Sequence, residues 1–411
     1  MSAIKRFIKS NQWLFHEMKS VLLYLRYVKS LTQSNRYKGV SCIPASETYL
    51  IGEKGFHCWF GYYDKSPMNS TNQYVAFTKV TKSANSGEEC DVCVYDTRTR
   101  TSRVVGKTTT WNWQQGCMPQ WVDEINLRYN AFDNQYGLYV TRIVNVETNE
   151  VKTYLRACYA ANKKHTAYLS LNFFRLDVYA KGYGYPFEVD SMDNNADGIW
   201  ETTLSGNKVE LLLPLQKVID YNIHYDDDCQ HYINHVTYCP NEDLIMFIHR
   251  WQKTGTEFTS RLLIYDRTTG ELDTLLDNGH VSHYCWKSND VLMIYATNAD
   301  SQKGYMTVNI KTKKTELIEE LPKEDGHPSY SKDGATILTD AYPNAHRDQY
   351  LFLFDTATKE LKVLDKLHSP FKYFNDERCD LHPRFSCDDN FVICDNTHSG
   401  YRSLKIYKLY E

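Results

Sequence analysis

Residues 327–356 read HPSYSKDGATILTDAYPNAHRDQYLFLFDT and contain one complete copy of a repeated unit. The unit opens on a strand that begins beside an aromatic residue, and it continues through the polar turn SKDG into an apolar strand. It closes on the apolar strand that ends in Leu353, Phe354 and Asp355, followed by a Thr-containing turn. The spacing of apolar residues between these points is not helical, so the pattern predicts four short antiparallel strands.

The same unit recurs seven times along the chain. Its opening half stands at residues 66–69, 118–121, 156–159, 235–238, 283–286, 327–330 and 382–385. Its closing half follows in turn at residues 94–97, 143–146, 199–202, 264–267, 308–311, 353–356 and 406–409. Seven such units predict an all-β fold, a seven-bladed β-propeller. The alternative, a β-sandwich, does not explain one ordered motif recurring with the same internal sequence.

We predict that residues 41–411 form this propeller as one domain, because closed all-β rings commonly exceed the usual domain length. The segment near Tyr49, Leu50 and Ile51 is expected to complete the last blade, since closure by the opposite terminus removes an exposed strand edge. The net charge of -4 argues against a globally basic nucleic-acid binder. The twelve cysteines lack zinc-ribbon spacing and are predicted to be buried free thiols.

Residues 1–40 form a second predicted unit, a basic amphipathic helix. Apolar residues recur at three- and four-residue steps, at Ile4, Phe7, Leu14, Met18, Val21, Leu22, Leu25 and Val28. Eight Lys and Arg residues oppose only Glu17 within residues 1–38, so this segment carries 8 - 1 = +7. Such a helix lies on an anionic membrane surface or docks on a partner. The alternative is that it packs its apolar stripe on the propeller.

The first forty residues show no recognisable export signal. The apolar run from Val21 to Leu25 is too short to cross a bilayer, and no small-residue cleavage pattern follows it. We therefore expect a cytoplasmic protein with reduced cysteines. The basic helix adds the expectation of peripheral contact with the inner membrane face through residues 1–38.

Four histidines stand at one position of the repeat, just before the first strand of a unit, at His235, His283, His327 and His382. Gln115 and Tyr63 stand close to the equivalent position in two other units. The first strand of each propeller blade lines the axis, so the repeat predicts that these side chains face a shared funnel. A single histidine of this kind more often hydrogen-bonds a neighbouring blade, and only the cluster indicates function.

The second strands of the units end toward the same rim and carry cationic, aromatic and polar side chains. Those singled out are Asn172, Arg175, His249, Arg250, Tyr342, His398 and Arg402. We expect them to converge with the histidines. Trp113 lies in the tract WNWQQ, where it is predicted either to stack on a sugar ring or to wedge between blades.

Two chemistries suit His, Tyr and Arg around a funnel. In β-elimination from a uronic acid, a cation neutralises the carboxylate and so acidifies the C5 proton; one side chain removes that proton and another protonates the departing glycosidic oxygen. Arginine suits the neutralising role because it meets a carboxylate with two parallel hydrogen bonds. Alternatively, three or four neutral imidazoles hold a divalent metal ion that binds the carboxylate itself.

Two further functions remain open. Glycoside hydrolysis ranks below elimination because it uses two opposed carboxylates, and the repeat places no clear pair among Asp64, Asp340 and Asp380. A non-catalytic propeller that binds a saccharide or scaffolds a partner is the alternative from another class, with the histidine funnel as a ligand or structural-metal site. The sequence contains no P-loop, dinucleotide fingerprint or HExxH motif.

Several short motifs support a resemblance to a known group of proteins. They are GYYDKSP at 61–67, NWQQG at 112–116, SLNF at 170–173, GYGY at 182–185, HRW at 249–251, VSH at 281–283, DGHPSY at 325–330 and RCDLHP at 378–383. Over roughly residues 50–411 the chain resembles the superfamily of bacterial seven-bladed propellers that includes oligogalacturonate lyase and the propeller-type ulvan lyases. The resemblance implies lyases that use a His/Tyr pair with a neutralising Arg, or that bind manganese through axial histidines.

By this resemblance the metal ligands would be His235, His283, His327 and His382. The predicted catalytic residues are Tyr342, His249, Arg250 and Arg402, and the predicted substrate contacts are Trp113, Gln115, Tyr63, Asn172, Arg175 and His398. Together these observations predict a lyase that cleaves an acidic oligo- or polysaccharide by β-elimination, with manganese, zinc or no cofactor. The sequence leaves open the saccharide, its linkage, the oligomeric state and the role of the N-terminal helix.

Overall fold

Seven four-stranded antiparallel sheets make up most of this protein. The structure is a computed structural model that describes residues 12–33, 36–222, 229–253 and 257–409, with side chains from residue 17 onward. Within each sheet the strands follow one another in sequence order, apart from the sheet that joins the two ends of the chain. The seven-bladed all-β propeller predicted from the repeat is confirmed.

The strands fall into blades as follows. The first elements in the described residues are helix α1 (Gln12–Ser30) and strand β1 (Glu47–Ile51). Blade 1 comprises β2 (Phe56–Trp59), β3 (Tyr74–Thr81), β4 (Cys90–Asp96) and β5 (Thr101–Thr108). Blade 2 comprises β6 (Gln120–Trp121), β7 (Asn126–Asp133), β8 (Leu138–Asn145) and β9 (Val151–Leu155). Blade 3 comprises β10 (Ala160–Ala161), β11 (Ala167–Ser170), β12 (Gly198–Thr203) and β13 (Lys208–Pro214), with helix α2 (Phe173–Tyr179) between β11 and β12.

After helix α3 (Leu215–Ile219), the remaining blades follow the same order. Blade 4 comprises β14 (Cys229–Tyr238), β15 (Leu244–Lys253), β16 (Thr259–Asp266) and β17 (Leu272–Leu276). Blade 5 comprises β18 (Val281–Trp286), β19 (Val291–Thr297), β20 (Lys303–Asn309) and β21 (Thr315–Leu317). Blade 6 comprises β22 (Ser329–Tyr330), β23 (Thr336–Asp340), β24 (Asp348–Asp355) and β25 (Leu361–His368). Blade 7 comprises β26 (Arg384–Phe385), β27 (Phe391–Asn396), β28 (Ser403–Lys408) and β1.

Strand β1 closes the ring by supplying the outermost strand of blade 7. It runs antiparallel to β28, with Tyr49 opposite Ile406 and Ile51 opposite Leu404. The expectation that the segment around residues 49–51 completes the last blade is confirmed. Because an unpaired β28 would present free N–H and C=O groups, this pairing removes an exposed edge.

A turn that is capped by a side chain explains why the closing half of the repeat has the same spacing in several blades. In blade 2 the Oδ1 atom of Asn145 accepts hydrogen bonds from the backbone N–H of Glu147 and Thr148, both at 3.0 Å. The turn then passes through Asn149 in the left-handed region, at φ 62°. The same arrangement follows Asp96, Asp266, Asn309 and Asp355. The Asp-like residue of the motif therefore sets the hairpin between the two outer strands.

Apolar side chains from neighbouring blades pack against one another around the ring. One buried cluster contains Ile406 of blade 7, Val75 and Val94 of blade 1, and Leu127 and Val140 of blade 2. Each such side chain contributes about 1.5–3 kcal/mol when fully buried, so these interfaces supply much of the stability. All twelve cysteines are free and most are buried, as the spacing predicted.

The inner strands are interrupted where they pass the axis. In blade 4 the pairing of β14 with β15 shifts between Asn234 and Thr237, and His235 in the gap has φ 52°. In blade 5 the shift lies between Val281 and Tyr284, on either side of His283. A bulge of this kind re-aims the side chain it contains. In these two blades the histidine position is thus a bulge directed at the axis.

Helix α1 lies against the connection between β25 and β26. The Tyr27 ring packs edge-on against Phe371 at 5.0 Å, and Lys19 Nζ donates to Asn375 Oδ1 at 3.1 Å. Ile4 and Phe7 of the predicted stripe lie outside the described residues, and no side-chain position is described for Leu14. No helix in the described ranges is long and apolar enough to span a bilayer.

Candidate functional site

The structure brings the four predicted histidines together at the propeller axis. Their rings form a continuous row, with centroid distances of 5.3 Å from His235 to His283, 4.1 Å from His283 to His327 and 4.2 Å from His327 to His382. All four are buried. Their common position in the repeat is the reason, because four blades bring the same position, at or just before the inner strand, to one point.

Two tyrosines of blade 1 fill the centre of this row. The Tyr62 hydroxyl lies 3.0 Å from the imidazole nitrogens of His235. The Tyr63 ring lies 5.5 Å from that of His283 and 5.3 Å from that of His327. Its hydroxyl donates to the Tyr284 carbonyl and accepts from the Tyr284 N–H, both at 2.9 Å. Tyr63 therefore ties blade 1 to blade 5 across the axis.

A long loop delivers these tyrosines. Trp59 pairs with Thr78, and Met68 forms an isolated bridge with Val75. Residues 60–67 therefore leave the ladder between β2 and β3 as a loop. Blades 4 and 5 have only a short bulge at the equivalent position. The Asp395 carboxylate accepts the N–H groups of Phe60 and Gly61, both at 3.0 Å.

Arg384, on the inner strand of blade 7, also holds the loop. Arg384 pairs with Asp395 at 3.0 Å and donates to the carbonyls of Gly61 and Tyr62. Both charged side chains are buried. A buried pair of this kind depends on additional hydrogen bonds, and the loop backbone supplies partners for Nε and Nη2 of Arg384 and for both oxygens of Asp395.

His327, His382 and Asp380 form a group that can hold a metal ion. One donor atom from each lies within 4.8 Å of the others, and all three residues are buried. Within the described residues, Nε2 of His327 and Nε2 of His382 have no hydrogen-bond partner. A buried polar atom without a partner is costly, and two such atoms beside a carboxylate match the ligand set of a divalent transition metal.

Neighbouring groups prepare the two imidazoles for this role. Burial lowers the pKa of His327 and that of His382 well below the ordinary value, and nearby cationic groups add to it, so both rings are neutral. Nδ1 of His327 lies 2.9 Å from the Asp340 carboxylate. A carboxylate that accepts from one ring nitrogen leaves the lone pair on the other, and metal-binding histidines are commonly oriented by a carboxylate in this way.

His283 is oriented by a different carboxylate. Its Nδ1 lies 3.3 Å from Asp325 and 3.2 Å from the Ser282 hydroxyl, which itself donates to Asp325 at 2.6 Å. Burial acts to raise the pKa of Asp325, but the adjacent His283 and the two hydrogen bonds outweigh it and lower the pKa. The carboxylate is therefore ionised and fixes the imidazole, so that Nε2 is the nitrogen left to face a ligand.

Two arginines and two tyrosines border the histidines on the side from which the inner strands enter. Arg378 pairs with Asp380 at 2.9 Å and donates to the Tyr183 hydroxyl at 2.7 Å. Its guanidinium lies 5.8 Å from the ring centroids of Tyr183 and Tyr342. Burial acts to lower the pKa of Arg378, but Asp380 and these phenols outweigh it and raise the pKa, so the guanidinium stays charged.

Arg250 and Tyr342 complete this border. Arg250 Nη2 donates to the carbonyl of Val281, two residues before His283, at 3.5 Å. Burial first, then His283 and Arg250, lower the pKa of His235 well below its ordinary value. Arg250 Nε is buried without a hydrogen-bond partner among the described residues. The Tyr342 ring is 5.6 Å from that of His327. Burial first, and then Asp380, raise the pKa of Tyr342 well above its ordinary value, so its phenol keeps its proton.

The expectation that all the second-strand ends converge on the histidines needs correction. His249 lies in a buried chain in which its Nδ1 accepts from Arg261 and its Nε2 lies 3.1 Å from His231. The reason is the twofold alternation of β15, which puts His249 on the face of blade 4 that carries His231 and Arg261, and Arg250 on the opposite face, next to Val281 of blade 5.

Arg175 and Asn172 also have structural partners. Arg175 makes a buried ion pair with Asp197 at 2.5 Å, and Asn172 caps α2 by accepting from the Arg175 N–H at 2.9 Å. Asn172 also donates to Asp197 at 3.0 Å. This closed set holds α2 against blade 4, and it does not join the axial row.

Arg402 supports the site from outside. Its guanidinium donates to the carbonyls of Trp113, Glu377 and Arg378, at 3.0, 2.9 and 2.9 Å. Trp113 packs between Trp59, Trp111 and Arg402, which corresponds to the wedge between blades. Arg402 therefore fixes the loop that carries Arg378.

Two other predicted substrate contacts, Gln115 and His398, do not belong to the row of histidine rings. Gln115 is buried and donates to the Tyr159 hydroxyl at 3.3 Å, and that hydroxyl accepts the N–H of His235 at 3.0 Å. His398 is half-buried and its Nδ1 lies 2.5 Å from Asn396 Oδ1. Lys405 and Asp365, on the outer strands of blades 6 and 7, are the charges that act on His398, which places it away from the axis.

The three carboxylates considered for hydrolysis all have partners. Asp340 lies 2.9 Å from His327, Asp380 is 2.9 Å from Arg378, and Asp64 is 2.7 Å from Lys65. Asp64 lines a cavity of about 290 Å³ whose walls include Tyr62, Tyr63 and His235, together with residues that follow the histidines along the inner strands. Tyr62 and Tyr63 lie between that cavity and the metal-binding group. The arrangement does not provide two opposed carboxylates of the kind that hydrolysis uses.

Sequence reasoning did not assign Arg378, Asp325, Tyr62 and Tyr183 to the site, and it considered Asp380 only as a carboxylate for hydrolysis. Asp380 stands two residues before His382. In an extended segment, side chains at this spacing point to the same side and can approach one ion, so the spacing could have indicated Asp380 as a metal ligand. Tyr62 belongs to the motif GYYDKSP, but its motif alone does not show that the loop crosses the axis.

Comparison with known proteins identifies the fold. No protein-family model matches the chain, and no curated protein matches it. A solved structure of oligogalacturonate lyase in complex with manganese superimposes with a TM-score of 0.66 at 14% identity, covering 90% of this chain and 99% of the lyase. Oligogalacturonate lyase from Vibrio parahaemolyticus gives a TM-score of 0.63 at 14% identity, covering 90% and 98%. The resemblance stated from the sequence is thus confirmed for the fold.

Proposed function

We propose that this protein is a lyase that cleaves an acidic, uronic-acid-containing oligo- or polysaccharide by β-elimination at the axial histidine site. The observation that carries the proposal is the pair of buried, unpartnered Nε2 atoms of His327 and His382 beside Asp380, bordered by Arg250 and Arg378. The likeness of the fold to oligogalacturonate lyase, one structure of which contains manganese, supports the same reaction class.

His327, His382 and Asp380 would hold a divalent metal ion, with manganese favoured by the fold neighbour. When bound, the ion would supply a Lewis acid that draws electron density from the substrate carboxylate. The residues fit this group because both imidazoles are neutral and Asp340 fixes the ring of His327.

Arg250 and Arg378 would bind and orient the substrate carboxylate. Guanidinium groups match carboxylates in geometry, and both side chains lie at the border of the row. Arg378 is held by Asp380 and Tyr183, whereas Arg250 has a buried Nε with no partner among the described residues. Arg250 is therefore the cation with donor capacity to spare for a ligand.

The proton transfers are assigned by the orientation of His283 and by the raised pKa of Tyr342. His283, fixed by Asp325, accepts the C5 proton of the uronate through Nε2. As the C4–O bond breaks, its electrons leave with the glycosidic oxygen and those of the former C5–H bond form the C4=C5 double bond. The phenol of Tyr342 donates the proton that the departing oxygen needs, in keeping with its raised pKa. No oxidant or water is consumed.

The direct test combines metal analysis with a substrate screen. Elemental mass spectrometry of the purified protein should find near-stoichiometric divalent transition metal, lost in His327→Ala with His382→Ala and retained in His398→Ala, which changes a histidine outside the row. Incubation with uronic-acid oligosaccharides should give the ultraviolet absorbance of a C4–C5 unsaturated product. Tight saccharide binding with no unsaturated product from any uronate would instead identify a binding propeller.

A further inference from the structure

Helix α1 presents an apolar stripe to the outside of the molecule. Its members are Met18, Val21, Leu22, Leu25 and Val28, and their exposed fractions are 40%, 57%, 50%, 57% and 45%. These positions follow the three- and four-residue steps of one helix face. In a monomer such a stripe would ordinarily turn inward, so its exposure calls for a physical reason.

The opposite face of the same helix is the one that contacts the propeller. Ser20, Leu23, Tyr27 and Ser30 are its less exposed positions, and Ser30 is almost fully buried. At about 100° per residue, this face and the apolar stripe are centred roughly 180° apart. The packing of α1 on the propeller therefore leaves the stripe pointing directly away from the protein.

The charges beside the stripe indicate what covers it. Arg26 and Lys29 are exposed, and within the described part of the helix only Glu17 opposes them. At about 100° per residue, Arg26 lies just beyond one edge of the stripe, and Lys29 lies within its angular range near its C-terminal end. Residues 1–38 as a whole carry eight basic side chains and one acidic side chain. A second copy of the helix would bring these cations together, whereas an anionic lipid surface satisfies both the cations and the apolar side chains.

We propose that α1 is an interfacial helix that binds this protein to an anionic membrane surface through the stripe formed by Met18, Val21, Leu22, Leu25 and Val28. The helix lies in the plane of the interface, with the stripe among the lipid headgroups and acyl chains and the propeller on its opposite face.

The attachment point of α1 links this surface to the axial site. Phe371 and Asn375, which contact the helix, belong to the connection between β25 and β26. The Asn375 carbonyl accepts the N–H of Arg378 at 3.2 Å, and Asp380 and His382 follow in the same connection. A membrane-bound helix would therefore hold this side of the site next to the bilayer.

The test is sedimentation of the full-length protein with lipid vesicles. We expect binding to phosphatidylcholine vesicles that contain phosphatidylglycerol, little binding to phosphatidylcholine alone, and a fall with added salt. Arg26→Glu with Lys29→Glu should weaken partitioning by about 30-fold or more, since each basic residue near an anionic surface contributes about five-fold. Leu22→Ser with Leu25→Ser should weaken it by at least about 10-fold.

A matched control separates this surface from general electrostatic attraction. Lys208→Glu with Lys314→Glu makes the same change in net charge at side chains that are 74% and 72% exposed on other parts of the propeller. This variant should bind vesicles as the wild type does, and equal loss in both charge-reversal variants would overturn the proposal.

Two other results would also overturn it. One is failure of the wild type to sediment with anionic vesicles at low salt. The other is lipid-free self-association of the wild type, measured by analytical ultracentrifugation, that disappears in Leu22→Ser with Leu25→Ser. That result would identify a second copy of the chain as the occupant of the stripe. None of these measurements depends on whether the protein is a lyase.

Discussion

At the scale of single residues, the axial site depends on one glycine that positions two aromatic rings. Gly61 has φ +121°, a conformation that side chains with a Cβ rarely adopt. A Cβ built there would meet the backbone carbonyl carbon of Gln115 at 2.3 Å. Only glycine therefore allows the loop to pass close to blade 2 and carry Tyr62 and Tyr63 onto the axis.

Gly61→Ala is expected to destabilise the protein by at least about 2 kcal/mol and to lower its metal content, because the loop must move away from Gln115. Gly55→Ala is the matched control. Gly55 also has a positive φ, of +101°, but nothing lies within 4 Å of its Cβ position, so the cost should be limited to about 1 kcal/mol of backbone strain. Urea unfolding monitored by fluorescence measures both values, and equal costs for the two variants would show that the contact with Gln115 is unimportant.

Tyr342 tests the assignment of the proton donor. Tyr342→Phe removes only the hydroxyl, and we expect turnover of a uronate substrate to fall by about 10²- to 10⁴-fold, the usual contribution of a general acid. The dissociation constant for the saccharide should change little, because Arg250 and Arg378 are retained. Turnover and calorimetric binding are measured on the same preparation. If both decline in parallel, Tyr342 acts in binding and the assignment as acid is incorrect.

At the scale of the element, the hairpins between outer strands depend on a side-chain cap more than on apolar contacts. Asn145 caps its turn with two hydrogen bonds, and the chain then adopts a left-handed conformation at Asn149. Five blades use this device, which is why the closing half of the motif is recognisable in sequence although its apolar residues vary.

Asn145→Ala is expected to lower the free energy of unfolding by about 1 kcal/mol, the usual effect of removing such a cap. Asn145→Asp keeps the Oδ1 acceptor and should retain most of the stability. Chemical denaturation of the two variants measures the difference. A cost as large for the aspartate variant as for the alanine variant would mean that the amide group, and not the acceptor oxygen, stabilises the turn.

At the scale of the whole molecule, buried neutral histidines make stability depend on pH. Burial first, and then nearby cations such as Arg402, lower the pKa of His57 to about 4, and burial first, and then Arg261, lower that of His231 to about 4. The unfolded chain binds these protons near pH 6.5, so between about pH 6.5 and 4 it holds more protons than the folded state. Stability therefore falls as the pH decreases through this window.

His57→Asn provides the measurement. His57 Nδ1 accepts the N–H of Arg402 at 3.0 Å, and an asparagine oxygen can accept the same bond without titrating. We expect the slope of unfolding free energy against pH, between pH 6.5 and 4.5, to decrease by about 1 kcal/mol per pH unit relative to the wild type. An unchanged slope would show that His57 is already protonated in the folded protein.

The fold could be read from the sequence because a propeller repeats one local pattern. Turn residues, alternating apolar strands and the Asp-like cap are local signals, and their sevenfold recurrence predicts blades without knowledge of long-range contacts. Closure by β1 followed from the same reasoning, since an open ring would leave an edge. The convergence of His235, His283, His327 and His382 was predictable for the same reason, because one repeat position maps to one location around the axis.

The composition of the site was decided by the tertiary structure. Sequence could not distinguish His249 from Arg250, since the two neighbours lie on opposite faces of the blade and only the structure shows which face meets His231 and which meets Val281. It could not show that a loop of blade 1 carries Tyr62 to His235, or that Asp380 completes the group with His327 and His382. These relationships join residues from different blades, and no local pattern encodes the distance between them. The outward direction of the stripe on α1 likewise depends on which face the propeller covers.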